Sequence, residues 1–466
     1  MKGISVSDAA KICGGVLNKH SDAEILGVCI DSRKVSEGFM FAALKGEHSD
    51  GHDYIAKAFG LGAVCCLAER VPDGIDAPVI VVSDVAKAMK TLAAEYRRRF
   101  DIPVIGVAGS VGKTTAKEMI ASVLSQKYNV LKTEKNFNNE LGVPLTVFRL
   151  EPEHEAAVIE MGISDFGEMS RLAEIVRPTM AVYTVIGHAH LEHLGDRDGV
   201  LRAKTEMLSY MPDDGIVFLN GDDDKLAAFE CSKRRVLFGT GANSSVRAVN
   251  ISDGSDETRC TVVSGERKID LVIPAYGKHM VYAALAGAAV GMSLGLDDEM
   301  IKKGVLEYET VGRRARVIDT GYLTLIDDCY NANPDSVKCG IDSMSDTAGR
   351  KVCILGDMLE MGAQKEELHR SVGKYAALKG VDLLIAVGEL SRYTAEGAGK
   401  IARHFDSKAE LIKTLPELIH SGDTVLVKAS HSMGFDEISE FANDVFFAKT
   451  KNFKDSFLHI LVKDTK

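Results

Sequence analysis

Ten residues constrain this chain more than any others: Gly106-Val107-Ala108-Gly109-Ser110-Val111-Gly112-Lys113-Thr114-Thr115. They follow an apolar run, Val104 to Val107, that reads as a strand. They open Thr114 to Leu124, which reads as a helix. A glycine-rich turn from strand to helix points backbone N–H groups and the positive helix end at one place, a cradle for phosphate. In that cradle Ala108, Gly109, Ser110, Val111, Gly112, Lys113, Thr114 and Thr115 are expected to wrap ATP phosphates. Lys113 reaches the terminal phosphates and the Thr114 hydroxyl binds Mg2+. The usual spacing wants glycine at Val107; Gly109 supplies an inner glycine instead.

A metal needs acids. Val158-Ile159-Glu160 ends an apolar strand in a carboxylate, a position suited to Mg2+ beside a nucleotide. Past the next apolar run, Met180 to Ile186, comes His188-Ala189-His190-Leu191-Glu192-His193. Three histidines so close fit either zinc or a second hard cation, Mg2+ or Mn2+; no cysteine lies near. From the residues alone, the centre is a Mg-dependent nucleotide triphosphatase.

At ~150 residues per domain, 466 residues imply about three domains. The spacing predicts a helix capped at Ser7-Asp8 and stopped by Gly14-Gly15, a strand at Pro78 to Val82 and a helix over Asp84 to Phe100. Asp101-Ile102-Pro103 then punctuates the chain. Short alternating segments over 240–275 suggest an antiparallel patch. From about residue 314, apolar strands at Leu323 to Ile326, Val352 to Leu355, Leu383 to Val387 and Thr424 to Val427 alternate with helical stretches. That is the pattern of a parallel α/β sheet. The expected domains are therefore 1–101, 102–313 and 314–447, all α/β, with a Lys- and Phe-rich tail, 448–466, of no readable role.

Composition narrows the function. Against 67 acidic residues stand 56 Lys and Arg, a net charge of −11 that argues against a nucleic-acid binder. Nine cysteines without a C-x-x-C pair read as reduced thiols, and neither a secretory leader nor a run of ~18 apolar residues occurs. A cytoplasmic protein without membrane insertion, working as a monomer, is expected.

These motifs in combination resemble the Mur ligase superfamily over nearly the whole chain, to about residue 447. Asp31-Ser32-Arg33, Ala43-Leu44-Lys45-Gly46 and Asp50-Gly51-His52 are similar to the UDP-sugar-binding N-terminal domain. Asn136-Phe137-Asn138-Asn139 is similar to the asparagine-rich segment after the phosphate loop. Ala189-His190-Leu191-Glu192 and Ala203-Lys204-Thr205-Glu206 resemble the family's metal histidine and its modified lysine. Asp327-Asp328-Cys329-Tyr330-Asn331-Ala332-Asn333-Pro334 and Gly356-Asp357-Met358-Leu359-Glu360-Met361-Gly362 resemble the branch that adds D-alanyl-D-alanine.

The resemblance implies a small N-terminal α/β domain, a central P-loop domain and a C-terminal Rossmann-like domain. It implies ATP-driven amide formation between a UDP-N-acetylmuramoyl tripeptide and D-alanyl-D-alanine through an acyl phosphate. Lys113, Lys204 and His190 would be catalytic. Asn138, His279, Arg314 and Asp328 would join the phosphate loop on ATP. Thr114, Glu160, His190 and carbamylated Lys204 would hold two Mg2+ ions, or Mn2+. Ser32, Arg33, Lys45, Gly46, His52, Asn136, Asn139, Tyr330, Asn331, Asn333, Lys428, Ser430 and His431 would bind the substrates. The family's G-x-H-N reads Gly277-Lys278-His279-Met280 here, and its K-G-S pattern reads Lys428-Ala429-Ser430. Asn333 is also a natural cap for the helix after it. A cleft closing to exclude water is expected, with Arg313 to Arg316 near its hinge. Two alternatives stay open on sequence: a related amide ligase for another amino acid or for folate-type glutamyl chains, and a nucleotide-switched binding protein.

Overall fold

The computed structural model describes residues 1–447 apart from 47–48, 255–256, 311, 313, 345–346 and 348. Arg313 and the tail, 448–466, lie outside the described residues. Three β-sheets follow one another along the chain. In the first, Gly27–Cys29, Phe39–Ala42, Cys65–Ala68 and Val79–Val81 run parallel, and Val16–Leu17 pairs antiparallel at the edge. The first helix, Val6–Cys13, is capped by Ser5 rather than Ser7: the Ser5 side chain accepts from Asp8 N, and Gly14 closes it at φ 65°. Ser7 Oγ instead donates to the Ser21 carbonyl at 2.8 Å. Helix Val85–Arg97 follows where its apolar spacing placed it.

The second sheet has nine strands. Its antiparallel part, Val246–Asp253, Thr258–Ser264 and Arg267–Ile273, is the patch expected at 240–275. The rest is parallel, with Val104–Ala108 between Ala156–Glu160 and Met180–Tyr183. Chain connections leave that central strand toward one edge and return across it to the other side. The carboxyl end of such a strand opens into a crevice where ligands bind.

The strand expected over 180–186 stops at Tyr183. Beyond it the backbone bonds elsewhere: Val185 O accepts from Ser110 N at 2.7 Å, and Ile186 N donates to Asp223 Oδ2 at 2.9 Å. Ladder bonds are exchanged for one bond to the phosphate loop and one to Asp223.

Helix Lys113–Leu124 carries that loop and is wedged by two neighbours, Met280–Ser293 and Asp298–Leu306. Close approach depends on missing side chains. A Cβ on Gly287 or Gly291 would lie 3.1 or 3.0 Å from Val123 side-chain atoms, and one on Gly304 would collide with the Val123 backbone. Met280–Ser293 is apolar nearly all round, as a helix enclosed by protein must be.

The third sheet is parallel as expected over Thr324–Asp327, Lys351–Gly356, Leu383–Val387 and Thr424–Lys428. Two strands were not legible: parallel Ala402–Phe405, and Arg316–Asp319, which pairs antiparallel with Thr324–Asp327 at the edge. All nine cysteines are free thiols. No helix among the described residues is long and apolar enough to cross a membrane.

Because Gly304 meets backbone rather than a movable side chain, Gly304→Ala is expected to destabilise the protein by about 1–3 kcal/mol, the usual cost of overpacking. Urea unfolding followed by circular dichroism measures it; an unchanged midpoint would contradict this packing.

Candidate active site

The phosphate loop is a taut turn. Gly109 has φ 151° and Gly112 φ 81°. A Cβ on Gly109 would collide with Thr184 Oγ1. That hydroxyl donates to Val111 O at 2.5 Å and latches the loop's far side. Gly187 N donates to Ser110 Oγ at 3.0 Å. Lys113 Nζ folds back onto Gly109 O at 2.9 Å. Burial, and the charge of Arg314, lower the Lys113 pKa despite the opposing pull of Glu160.

Thr114 and Glu160 are both buried, and Thr114 Oγ1 donates to Glu160 Oε2 at 2.7 Å. Asn138 Nδ2 donates to Glu160 Oε1 at 2.8 Å, and Glu160 N to Thr133 Oγ1 at 3.0 Å. The carboxylate is thus aimed by two neighbours, and Thr133 fixes the backbone that carries it. Lys204 lies fully within the protein at 1 % exposure, and burial, then the Lys113 charge, push its pKa well down.

The three histidines diverge. His188 Nδ1 faces Asp335 at 3.1 Å, His190 Nδ1 bonds Glu360, and His193 is exposed. They do not converge as a zinc site would require, and no group of three or more His, Cys, Asp or Glu side chains able to hold a metal occurs among the described residues. A hydroxyl, a carboxylate and an imidazole suit a hard cation that brings phosphate and water ligands with it, as Mg2+ does.

A cleft of about 1370 Å³ joins the second and third sheets. From the phosphate-loop side it is lined by Ser110, Val111, Gly112, Lys113, Thr115, Asn138, Asn139, Glu160, His190 and His279. From the other side come Arg314, Asp328, Tyr330, Asn331, Asn333 and Lys428. The Arg314 guanidinium sits 3.8 Å over the Tyr330 ring. Burial lowers the His279 pKa and favours its neutral ring.

Several expected substrate contacts have structural work as well. Lys428 is buried, donating to Asp328 Oδ2 at 2.6 Å and Asn331 O at 2.8 Å. Asn333 forms a capping box with Ser336 at the start of Pro334–Ser343. Asn139 Oδ1 accepts from Gly142 N at 2.8 Å. Ser430 Oγ accepts from Leu359 N at 2.9 Å, and His431 lies 5.7 Å from the Tyr330 ring. Asn136 is exposed.

The first-sheet residues stand apart from the cleft's lining. Arg33 pairs with Asp31, Nε to Oδ1 and Nη2 to Oδ2, both at 2.9 Å. His52 is buried between Asp50, 2.5 Å from Nδ1, and Glu69 N, which donates to Nε2 at 2.9 Å. Ser32 is buried, the Lys45 backbone forms an isolated antiparallel β-bridge with that of Asp50, and Gly46 N donates to Ser49 O at 2.9 Å.

Three family profiles match: "Mur ligase family, catalytic domain" over residues 24–114, "Mur ligase middle domain" over 107–291 and "Mur ligase, glutamate ligase domain" over 313–431. A UDP-N-acetylmuramoyl-tripeptide–D-alanyl-D-alanine ligase of Bacillus subtilis is 36 % identical over 447 residues, covering 93 % of this chain and 97 % of that one. The chain belongs to the Mur ligase family. A crystal structure of MurF from Acinetobacter baumannii superposes with a TM-score of 0.88 at 30 % identity, covering 95 % of this Mur ligase and 98 % of that chain. MurF from Thermotoga maritima, solved in complex with ADP, gives 0.81 at 26 % identity over 92 % and 99 %.

Within this Mur ligase, the departure at Met280 has a physical account. Its side chain, at the start of Met280–Ser293, is largely buried against the core that packs the phosphate-loop helix and also lines the cleft beside His279. Reading the sequence missed Thr184, Thr133, Asp335 and Glu360. Glu360 alone had a signal, since it sits inside a quoted motif. Thr184→Val removes the latch on Val111 while keeping the shape. It is expected to raise the KM for ATP about tenfold, the worth of one lost hydrogen bond, with the unfolding midpoint little changed. An unaltered KM would mean the loop holds without it.

Proposed function

We propose that this Mur ligase joins D-alanyl-D-alanine to a UDP-N-acetylmuramoyl tripeptide at the expense of ATP, in peptidoglycan precursor synthesis in the cytoplasm. One observation carries the reading: the phosphate loop and the Tyr330–Asn333 turn line the same cleft, from opposite sheets. A carboxylate held between them has a phosphoryl donor on one side and room for an amine on the other. The tripeptide's terminal carboxylate attacks the γ-phosphorus, the bond to ADP breaks, and an acyl phosphate forms. The D-alanyl-D-alanine amine then attacks that carbonyl and phosphate leaves. An ionised carboxylate is its own nucleophile, so the first step asks the protein for positioning and charge neutralisation. Lys113 and the loop's N–H groups supply both.

Thr114, Glu160, His190 and the Lys204 carbamate would hold two Mg2+ ions, or Mn2+, which when bound neutralise phosphate charge. Lys204 suits the modification. A carbamate forms from CO2 and a neutral amine with loss of a proton, and burial beside Lys113 disfavours the ammonium. The anionic adduct replaces an unfavourable cation with a ligand for one. Asn138, His279, Arg314 and Asp328 would complete the nucleotide site. Ser32, Arg33, Lys45, Gly46 and His52 would take the UDP end of the substrate, with Arg33 exchanging Asp31 for phosphate.

The deciding assay is release of inorganic phosphate. It is expected only when ATP, UDP-muramoyl tripeptide and D-alanyl-D-alanine are all present, and to vanish in Lys113→Ala. Release from ATP alone at the same rate would favour a nucleotide-switched binding protein. Lys204→Arg keeps the charge but cannot form the carbamate. It is expected to abolish ligation while ADP binding, measured by calorimetry, stays within about threefold of wild type; near-normal turnover would overturn the role.

A further inference from the structure

Two residues meet between the second and third sheets in a conformation neither type favours: His190 at φ 55° and Glu360 at φ 62°. A side chain in the left-handed region persists only where its surroundings over-determine it. Here they do. His190 Nδ1 bonds the Glu360 carboxylate, and Glu192 N donates to Glu360 O at 3.2 Å. The turn carrying Glu360 is fixed within its own sheet's layer. Leu359 N donates to Ser430 Oγ at 2.9 Å, Met358 N to Nε2 of buried His369 at 3.0 Å, and Ser391 N to Asp357 Oδ1 at 2.7 Å. Gly362, at φ 57°, lets the turn close on the other layer: a Cβ there would lie 3.1 Å from Glu192 Cα. Next to this contact, His188 N donates to Asp335 Oδ2 at 2.6 Å.

We propose that Glu360 is a positioning residue for His190, fixing its ring tautomer from across the cleft. An ionised carboxylate only accepts, so the shared hydrogen sits on Nδ1 and Nε2 keeps its lone pair for a ligand in the cleft. Because the carboxylate comes from the third sheet's turn, His190 is set only when the two layers are docked. The phosphate-binding wall is then complete only when the wall opposite it is in place, which ties the first chemical step to the presence of the amine-binding side. This rests on the reading of the cleft given above.

The test uses the full chain labelled with 15N-histidine, without nucleotide or metal, at a pH where imidazoles are neutral. The His190 ring signals are assigned by their loss in His190→Gln. Wild type is expected to show the Nδ1–H tautomer. Glu360→Gln, whose amide oxygen still accepts, keeps it; Glu360→Ala shifts it toward Nε2–H. In steady state, Glu360→Ala is expected to lower kcat ten- to a hundredfold, the usual loss for a carboxylate behind a ligating histidine. The KM for D-alanyl-D-alanine should stay within about twofold, and Glu360→Gln should recover most of the rate. An unchanged tautomer or an unchanged kcat in Glu360→Ala overturns the proposal. A wild-type chain with the expected tautomer but no three-substrate phosphate release would instead sink the functional reading, so the two fail separately.

Discussion

A lysine buried beside another lysine is the constraint on which the site depends. Lys204 has lost nearly all contact with solvent, and Lys113 lies close enough to disfavour its charge further. Glu160 offers one carboxylate in return, already engaged by Thr114 and Asn138. Glu168 opposes the shift at Lys204, yet burial and Lys113 prevail. On the reading proposed above, ATP phosphates and a Lys204 carbamate would add negative charge to this centre. The phosphate loop, the strand-end carboxylate and the burial of Lys204 are three parts of one electrostatic arrangement.

The scaffold holds that arrangement by spending backbone bonds unevenly. Met180–Tyr183 stops early so that the residues after it brace the phosphate loop. Helix Lys113–Leu124 is held from behind by two helices whose glycines allow backbone-level contact. The loop at the front therefore has little freedom to relax, which suits a site that works by placing charges rather than by donating protons.

What could be read from the sequence follows the range of the interactions. The strands at Val104, Ala156, Leu383 and Thr424 were legible because a buried parallel strand is a continuous apolar run. The phosphate loop was legible because its chemistry is contained in ten adjacent residues. Arg316–Asp319 was not, since most of its residues are exposed and it reads as polar linker. Ser5 was passed over as a cap because Ser7-Asp8 shows the same residue types two positions on; only the backbone of Asp8 distinguishes them. Thr184 and Glu360 act through contacts 73 and 170 residues away, and no local pattern announces these. Lys428 and Ser430 were read as substrate contacts from a motif, and their side chains also hold the loops that form the wall, a second task no motif announces.

Gly187 carries a lesson for engineering. Any side chain at this position would strike the Asp335 carboxylate, so two layers encoded far apart share one fitted void. A hybrid enzyme that grafts the last third of a relative onto this chain inherits half of that fit. Its success would hinge on whether the donor's residue at 335 tolerates a bare backbone at 187, a matching rule that overall percentage identity does not reveal.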